Sequence, residues 1–104
     1  MSNNFGELTL LLQELQFELE RTGLWQSTSP SSQALQSTQP FAVDTLAPHE
    51  WLQWVFLPRM QAALAQEQVP SGFAIAPYFA QVWQQQYEYR SLLRLLNLID
   101  EACR

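Results

Sequence analysis

The chain has 104 residues, 47% of them apolar and 14% charged, with ten acids against five arginines and no lysine. That length suits one domain with a single core, because folding at this size buries roughly 60–70% of the surface an unfolded chain exposes. A net charge of −5 repels phosphate backbones and argues against direct nucleic-acid binding, which needs a concentrated basic patch. Arg90 and Arg94, one helical turn apart, are too small a spot to supply one.

Cys103 is alone, so no internal disulfide can form. The N-terminal stretch MSNNFGELTLLLQEL lacks a basic region and carries Glu7 and Glu14, unlike a signal peptide. No apolar run approaches the roughly 20 residues that span a bilayer. The expectation is a cytoplasmic protein with residues 1–104 as one helical domain.

Phe5, Leu8, Leu12, Leu15 and Leu19 recur at steps of three and four, which predicts an amphipathic helix from about Asn4 to Arg21. Leu10, Leu11 and Phe17 widen its stripe beyond what one partner helix covers. Asn3 or Asn4 can cap its start, and Gly23 supplies the left-handed residue at its end. Residues 24–43 read as a connection, with turn chemistry in STSPSS and one short helical turn within SSQALQS. Trp25 and Phe41 bracket that connection, and the expectation is that each ring pins one loop end to the core.

A second helix starts near Pro48, where the missing N–H is harmless, with Glu50 at the third position. Ala47 has no side-chain acceptor to complete a capping box, and Thr45 is the alternative cap. Trp51, Leu52, Trp54, Val55, Phe56 and Leu57 make this helix apolar on nearly every side, so it is the central one. Pro58 removes the hydrogen bond to the Trp54 carbonyl and predicts a kink, with the helix resuming to about Gln68. After the VPSG stop, a third helix starts near Pro77 with Tyr78, Phe79, Val82 and Trp83. The QQQYEY segment leaves open whether residues 75–103 form one helix or two. Two is favoured, the last carrying Leu92, Leu95, Leu96 and Ile99. The fold class is all-α, a single-domain four-helix bundle-like fold with a long ordered loop between helices 1 and 2.

Chemistry is sparse. One histidine and one cysteine, far apart, cannot compose a metal site, and Glu14, Glu18 and Glu20 lack the Glu-x-x-His partner of a di-iron bundle. His49 can reach Asp44 or Thr45, a contact better read as ordering the helix entrance than as a catalytic pair. Three dispersed glycines make no phosphate loop. No cofactor, metal or catalytic residue is assigned. What remains is an aromatic surplus in the middle of the chain, of the residue types that dominate protein–protein contacts.

The strings STQPF, VDT and EWLQWVFLPRM within residues 37–60, together with FAIAPY at Phe73–Tyr78 and the leucine-rich last helix, resemble the YqcC family of small uncharacterised gammaproteobacterial proteins. That resemblance implies an all-helical single domain. Members are commonly encoded beside a tRNA pseudouridine synthase, so it also implies an accessory protein for a tRNA-modifying enzyme, acting through protein–protein contact. The residues expected to dock a partner are Phe41, Asp44, Trp51, Trp54, Arg59, Tyr78 and Trp83, with Arg59 as the directional charge at the rim. The alternative is a homodimer that uses the same surface.

Overall fold

The computed structural model describes residues 5–104. The leucine stripe of the N-terminal segment forms helix α1, Phe5–Arg21, and buries Leu8, Leu11, Leu12, Leu15 and Leu19. The proposed Asn3 or Asn4 cap lies outside the described residues. At its other end Gly23, at φ +80°, lets Gly23 N–H reach the Glu20 carbonyl and Leu24 N–H the Leu19 carbonyl. These two bonds form a Schellman closure, as a glycine at this position favours. Leu10 and Phe17, the residues that overfill the stripe, remain about 60% exposed.

The connection holds two single turns of 3₁₀ helix, Ala34–Gln36 and Pro40–Ala42. The first lies in the segment expected to be ordered, and the second had no sequence signal beyond Pro40. Trp25 and Phe41 both pack against the core from partly buried positions.

Helix α2 covers residues 48–65 in three parts: an α-helical turn Pro48–Trp51, a π-helical turn Leu52–Phe56, and an α-helical second half Leu57–Ala65. The expected kink at Pro58 takes the form of this widened turn. Leu57 N–H reaches back five residues to the Leu52 carbonyl, and the extra residue in the turn gives the proline ring room against the preceding backbone. The wide turn aligns Leu52, Phe56 and Met60 toward the core and leaves Trp51, Val55 and Arg59 along a neighbouring edge. The helix stops at Ala65, three residues short of expectation, with Glu67 in the left-handed position at φ +53°.

Helix α3, Ala76–Val82, and helix α4, Arg90–Ala102, are separate, divided by a turn and the 3₁₀ segment Tyr87–Tyr89. The separation lets Phe79, Trp83, Leu92, Leu96 and Ile99 enter one core. The start of α3 is capped from a distance: the Asp100 carboxylate accepts Ile75 N–H at 2.9 Å and Ala76 N–H at 2.8 Å. Gly72 N–H donates to the Cys103 carbonyl at 2.7 Å, so the end of α4 is stitched to the turn before α3. In the assembled bundle α1 lies along α4 and touches the second half of α2, while α3 packs on α4. The described residues contain no strand, and no helix among them is long and apolar enough to cross a membrane.

Candidate functional site

Residues 37–59 build the most distinctive surface. One wall is the edge of α2, with Trp51, Val55 and Arg59 at successive turns. The other is the loop from Ser37 to Ala42, and between them lies a cleft of about 260 Å³. Its aromatic wall is Phe41, stacked on Tyr78 at 4.0 Å with the rings 9° apart and tilted against Trp51 at 4.8 Å. Such packing adds to the area these rings bury. Phe41 and Ala42 hold φ values of +56° and +49°. Left-handed backbone at residues with a Cβ is unfavourable, and here the ring stack and the 3₁₀ turn fix it.

Directional bonds hold the loop in place. Ser37 Oγ donates to Asp44 Oδ1 at 2.6 Å, and Thr45 Oγ1 donates to the Ala34 carbonyl at 2.7 Å. Thr45 therefore ties loop to loop and is not the cap of α2. Ala47 N–H donates to Glu50 Oε1 at 2.8 Å, which is the half of a capping box that needs no side chain at Ala47.

The strongest tie runs between the loop start and α2. Gln53, only 5% exposed, pairs with the backbone of Gln26 as one peptide group pairs with another. Gln26 N–H donates to Gln53 Oε1 at 2.8 Å, and Gln53 Nε2 donates to the Gln26 carbonyl at 2.7 Å. The Gln26 side chain in turn accepts Trp54 Nε1–H at 2.9 Å and donates to Glu50 Oε2 at 3.0 Å. Every polar atom in this knot has a partner, the condition under which buried polar groups stabilise.

The same geometry sets the titration behaviour. The Ala47 N–H, and next the Gln26 amide, hold the Glu50 carboxyl below its usual range despite partial burial. Burial pushes the His49 imidazole down, with Glu50 opposing, and pushes the Tyr78 phenol up. Neither Asp44 nor Thr45 bonds to His49; both are engaged within the loop. Near the end of α1, Arg21, and next Ser91, hold the Glu18 carboxyl below its usual range.

Of the seven residues expected to dock a partner, Phe41, Trp51 and Arg59 converge on the cleft. Tyr78 backs Phe41, and Asp44 holds Ser37 at the loop edge. Trp54 does not reach this cleft. It faces a second, shallower one of about 440 Å³ shared with Trp25, Gln53 and Pro58, and its indole N–H is already committed to Gln26. Trp83 is a correction: it is 6% exposed, packed against Phe79 at 4.9 Å and Tyr89 at 5.0 Å. The separation of α3 from α4 turns its ring inward, so it belongs to the core and presents nothing to a partner. Sequence reasoning passed over Gln26 and Gln53, although a glutamine amid Trp51, Leu52, Trp54 and Val55 is a signal for a buried amide that needs partners.

A family model described as tRNA pseudouridine synthase C matches residues 7–102. An uncharacterised protein of Haemophilus influenzae is 40% identical over 91 residues, covering 86% of this chain and 86% of its own length. The uncharacterised protein YqcC of Escherichia coli K12 is 40% identical over 85 residues, 81% of this chain and 78% of that protein. The tRNA pseudouridine synthase C of Pectobacterium carotovorum is 51% identical over 55 residues, which is 49% of this chain and 15% of that enzyme. The solution NMR structure of E. coli YqcC matches this fold with a TM-score of 0.83 at 36% identity, over 97% of this chain and 88% of that one.

Proposed function

The chain belongs to the YqcC family, and from that premise we propose that it is a non-enzymatic accessory module that docks on a tRNA pseudouridine synthase by protein–protein contact. The observation that carries this reading is the Pectobacterium synthase, in which a segment resembling half of this chain accompanies the enzyme in one polypeptide. A module that is joined to an enzyme in one protein and separate in another is suited to binding that enzyme. The charge of −5 fits a helper that leaves the RNA to its partner, and the cleft of Phe41, Trp51 and Arg59 supplies a concave surface of the residue types that anchor interfaces.

The test is direct. The purified protein is mixed with tRNA pseudouridine synthase C from the same organism at tens of micromolar and followed by sedimentation velocity. A complex heavier than either component is expected, and it should be lost with Arg59→Glu or Trp51→Ala variants whose melting temperatures show a retained fold. Independent sedimentation of the two proteins sinks the reading.

A second reading, self-association, is favoured by a surface of α1. Leu10 and Phe17, seven residues apart on α1, share one face and are about 60% exposed, the kind of apolar stripe that two copies can cover. A monomer at tens of micromolar in the same sedimentation runs excludes it.

A further inference from the structure

The cleft between the 37–42 loop and α2 is specific enough to name the chemistry of its occupant. Arg59 is exposed at its rim and has no acidic partner among the described residues. Of the other four arginines, Arg21 is paired with Glu18, Arg90 lies over the Tyr87 ring at 3.9 Å, and Arg94 and Arg104 do not line this cleft. The carboxylates nearest in the chain are engaged: Asp44 with Ser37, and Glu50 with Ala47 and Gln26. Arg59 is thus an uncommitted guanidinium beside an aromatic wall. A guanidinium presents a rigid fork that matches a carboxylate bidentately.

The size of the cleft narrows the choice. At about 260 Å³ it falls below the roughly 300–1,000 Å³ of pockets that enclose small molecules and cofactors. It has room for one large side chain of a partner. Two consecutive left-handed residues, Phe41 and Ala42, hold the wall in a conformation the backbone disfavours, and such strain persists where the surroundings over-determine it. No carboxylate is among the residues lining the cleft, and exposed charges more than about 8 Å away are largely screened at physiological salt.

We infer that this cleft binds an extended peptide segment of a partner protein in which one large apolar side chain enters against Phe41 and Trp51 and an adjacent Asp or Glu pairs with Arg59. This rests on the protein-docking reading above and gives that surface its ligand chemistry. The acidic residue sets register and selectivity, and the apolar side chain supplies the buried area.

A phage-displayed library of random 12-residue peptides panned on the full chain tests it. Enriched peptides are expected to share an acid next to a large apolar residue. Arg59→Glu, at an exposed position that leaves the melting temperature unchanged, should weaken them at least about tenfold, and exchanging the peptide's acid for arginine should restore binding to that variant. Enriched peptides without an acid, failure to enrich any, or affinity indifferent to Arg59→Glu would each overturn the inference. The outcome is separable from that of the accessory role. A synthase complex untouched by Arg59→Glu removes the cleft from the interface and leaves the accessory role standing. Arg59-dependent peptides without any synthase complex do the reverse.

Discussion

The half of the molecule made by α1 and α4 is held almost entirely by apolar packing, whereas the half made by the loop and α2 adds directional bonds to the core contacts of Leu52, Phe56, Leu57 and Met60. Between α1 and α4 the contact is leucine on leucine: Leu8, Leu12, Leu15 and Leu19 meet Leu92, Leu95, Leu96 and Ile99 in one core, all at most 7% exposed. Polar contact there is confined to the rim, where Ser91 donates to Glu18 and accepts from Arg21. The loop half has half-buried rings, a knot of hydrogen bonds around Gln26 and Gln53, and all three of the left-handed non-glycine residues among those described, Phe41, Ala42 and Glu67. Apolar packing is non-directional and sustains the bundle. Directional bonds and strain shape a concave surface at some cost in stability. The division places close-packed leucines in one half and the bonded, concave surface in the other.

Cavity-forming substitutions in the leucine half should hurt most. Leu15→Ala and Leu96→Ala, both at fully buried positions, should each lower unfolding free energy by about 2–5 kcal/mol in urea titrations. Trp83→Ala should behave as one of them, costing about 3–5 kcal/mol. If instead Trp83→Ala keeps its stability and loses a partner, the assignment of that ring to the core is wrong.

Gln53→Ala should come next, at about 2 kcal/mol, because it strands the N–H and carbonyl of Gln26. The sharper readout is local. Hydrogen exchange should accelerate across residues 24–47 while the amides of α1 and α4 keep their protection. Equal loss in both halves would erase the distinction between them.

Glu50→Gln should cost about 1 kcal/mol at pH 7, the usual size of a capping contribution. Since the folded protein holds the Glu50 carboxyl below 4.5, its charge stabilises the fold above that pH, and the contribution fades as pH falls through the lower folded value. The wild type and variant should therefore converge in acid. His49 acts in the same direction at higher pH. Its imidazole is pushed below 6.5 by burial, so the unfolded chain takes up the proton first and stability declines as pH drops below neutrality. His49→Gln should flatten that part of the profile.

The smallest effect should be a gain. Glu67 occupies the left-handed position that Gly23 fills at the end of α1, and both helix ends make the same pair of closing bonds. Glu67→Gly should raise stability by about 0.5–1 kcal/mol, measured by thermal melting, since relief of the backbone outweighs the freedom gained by the unfolded chain.

These two halves also differ in how readable they are. Leucines at steps of three and four specify α1 and α4 from pattern alone, and Gly23 marks a helix end by its own chemistry. Trp51 and Trp54 sit three residues apart in a helix apolar all round, so periodicity could not say which edge faces outward. That depends on the π-helical turn, which responds to Pro58 and to tertiary packing. Trp83 looked available because the break before α4 that rotates it inward is ambiguous in QQQYEY. Phe41 was legible as an anchor, while its left-handed backbone was not, since no glycine advertises it. The cleft depends on Phe41 meeting Trp51 and Tyr78 and on the loop facing the edge of α2, contacts that local propensity does not encode.

The pairing of the first helix with the last has a consequence in time. Glu18 and Ser91 meet across 73 residues of chain, and the cap of α3 arrives with Asp100, some 25 residues after the backbone groups it binds. At about 5–20 residues per second a ribosome needs roughly 4–15 s to add those 73 residues. Through that interval the leucine stripe of α1 has been made while the helix that covers it has not. The bundle closes only once α4 has been made, and until then the nascent chain exposes the leucine face of α1 to whatever else in the cell binds apolar helices.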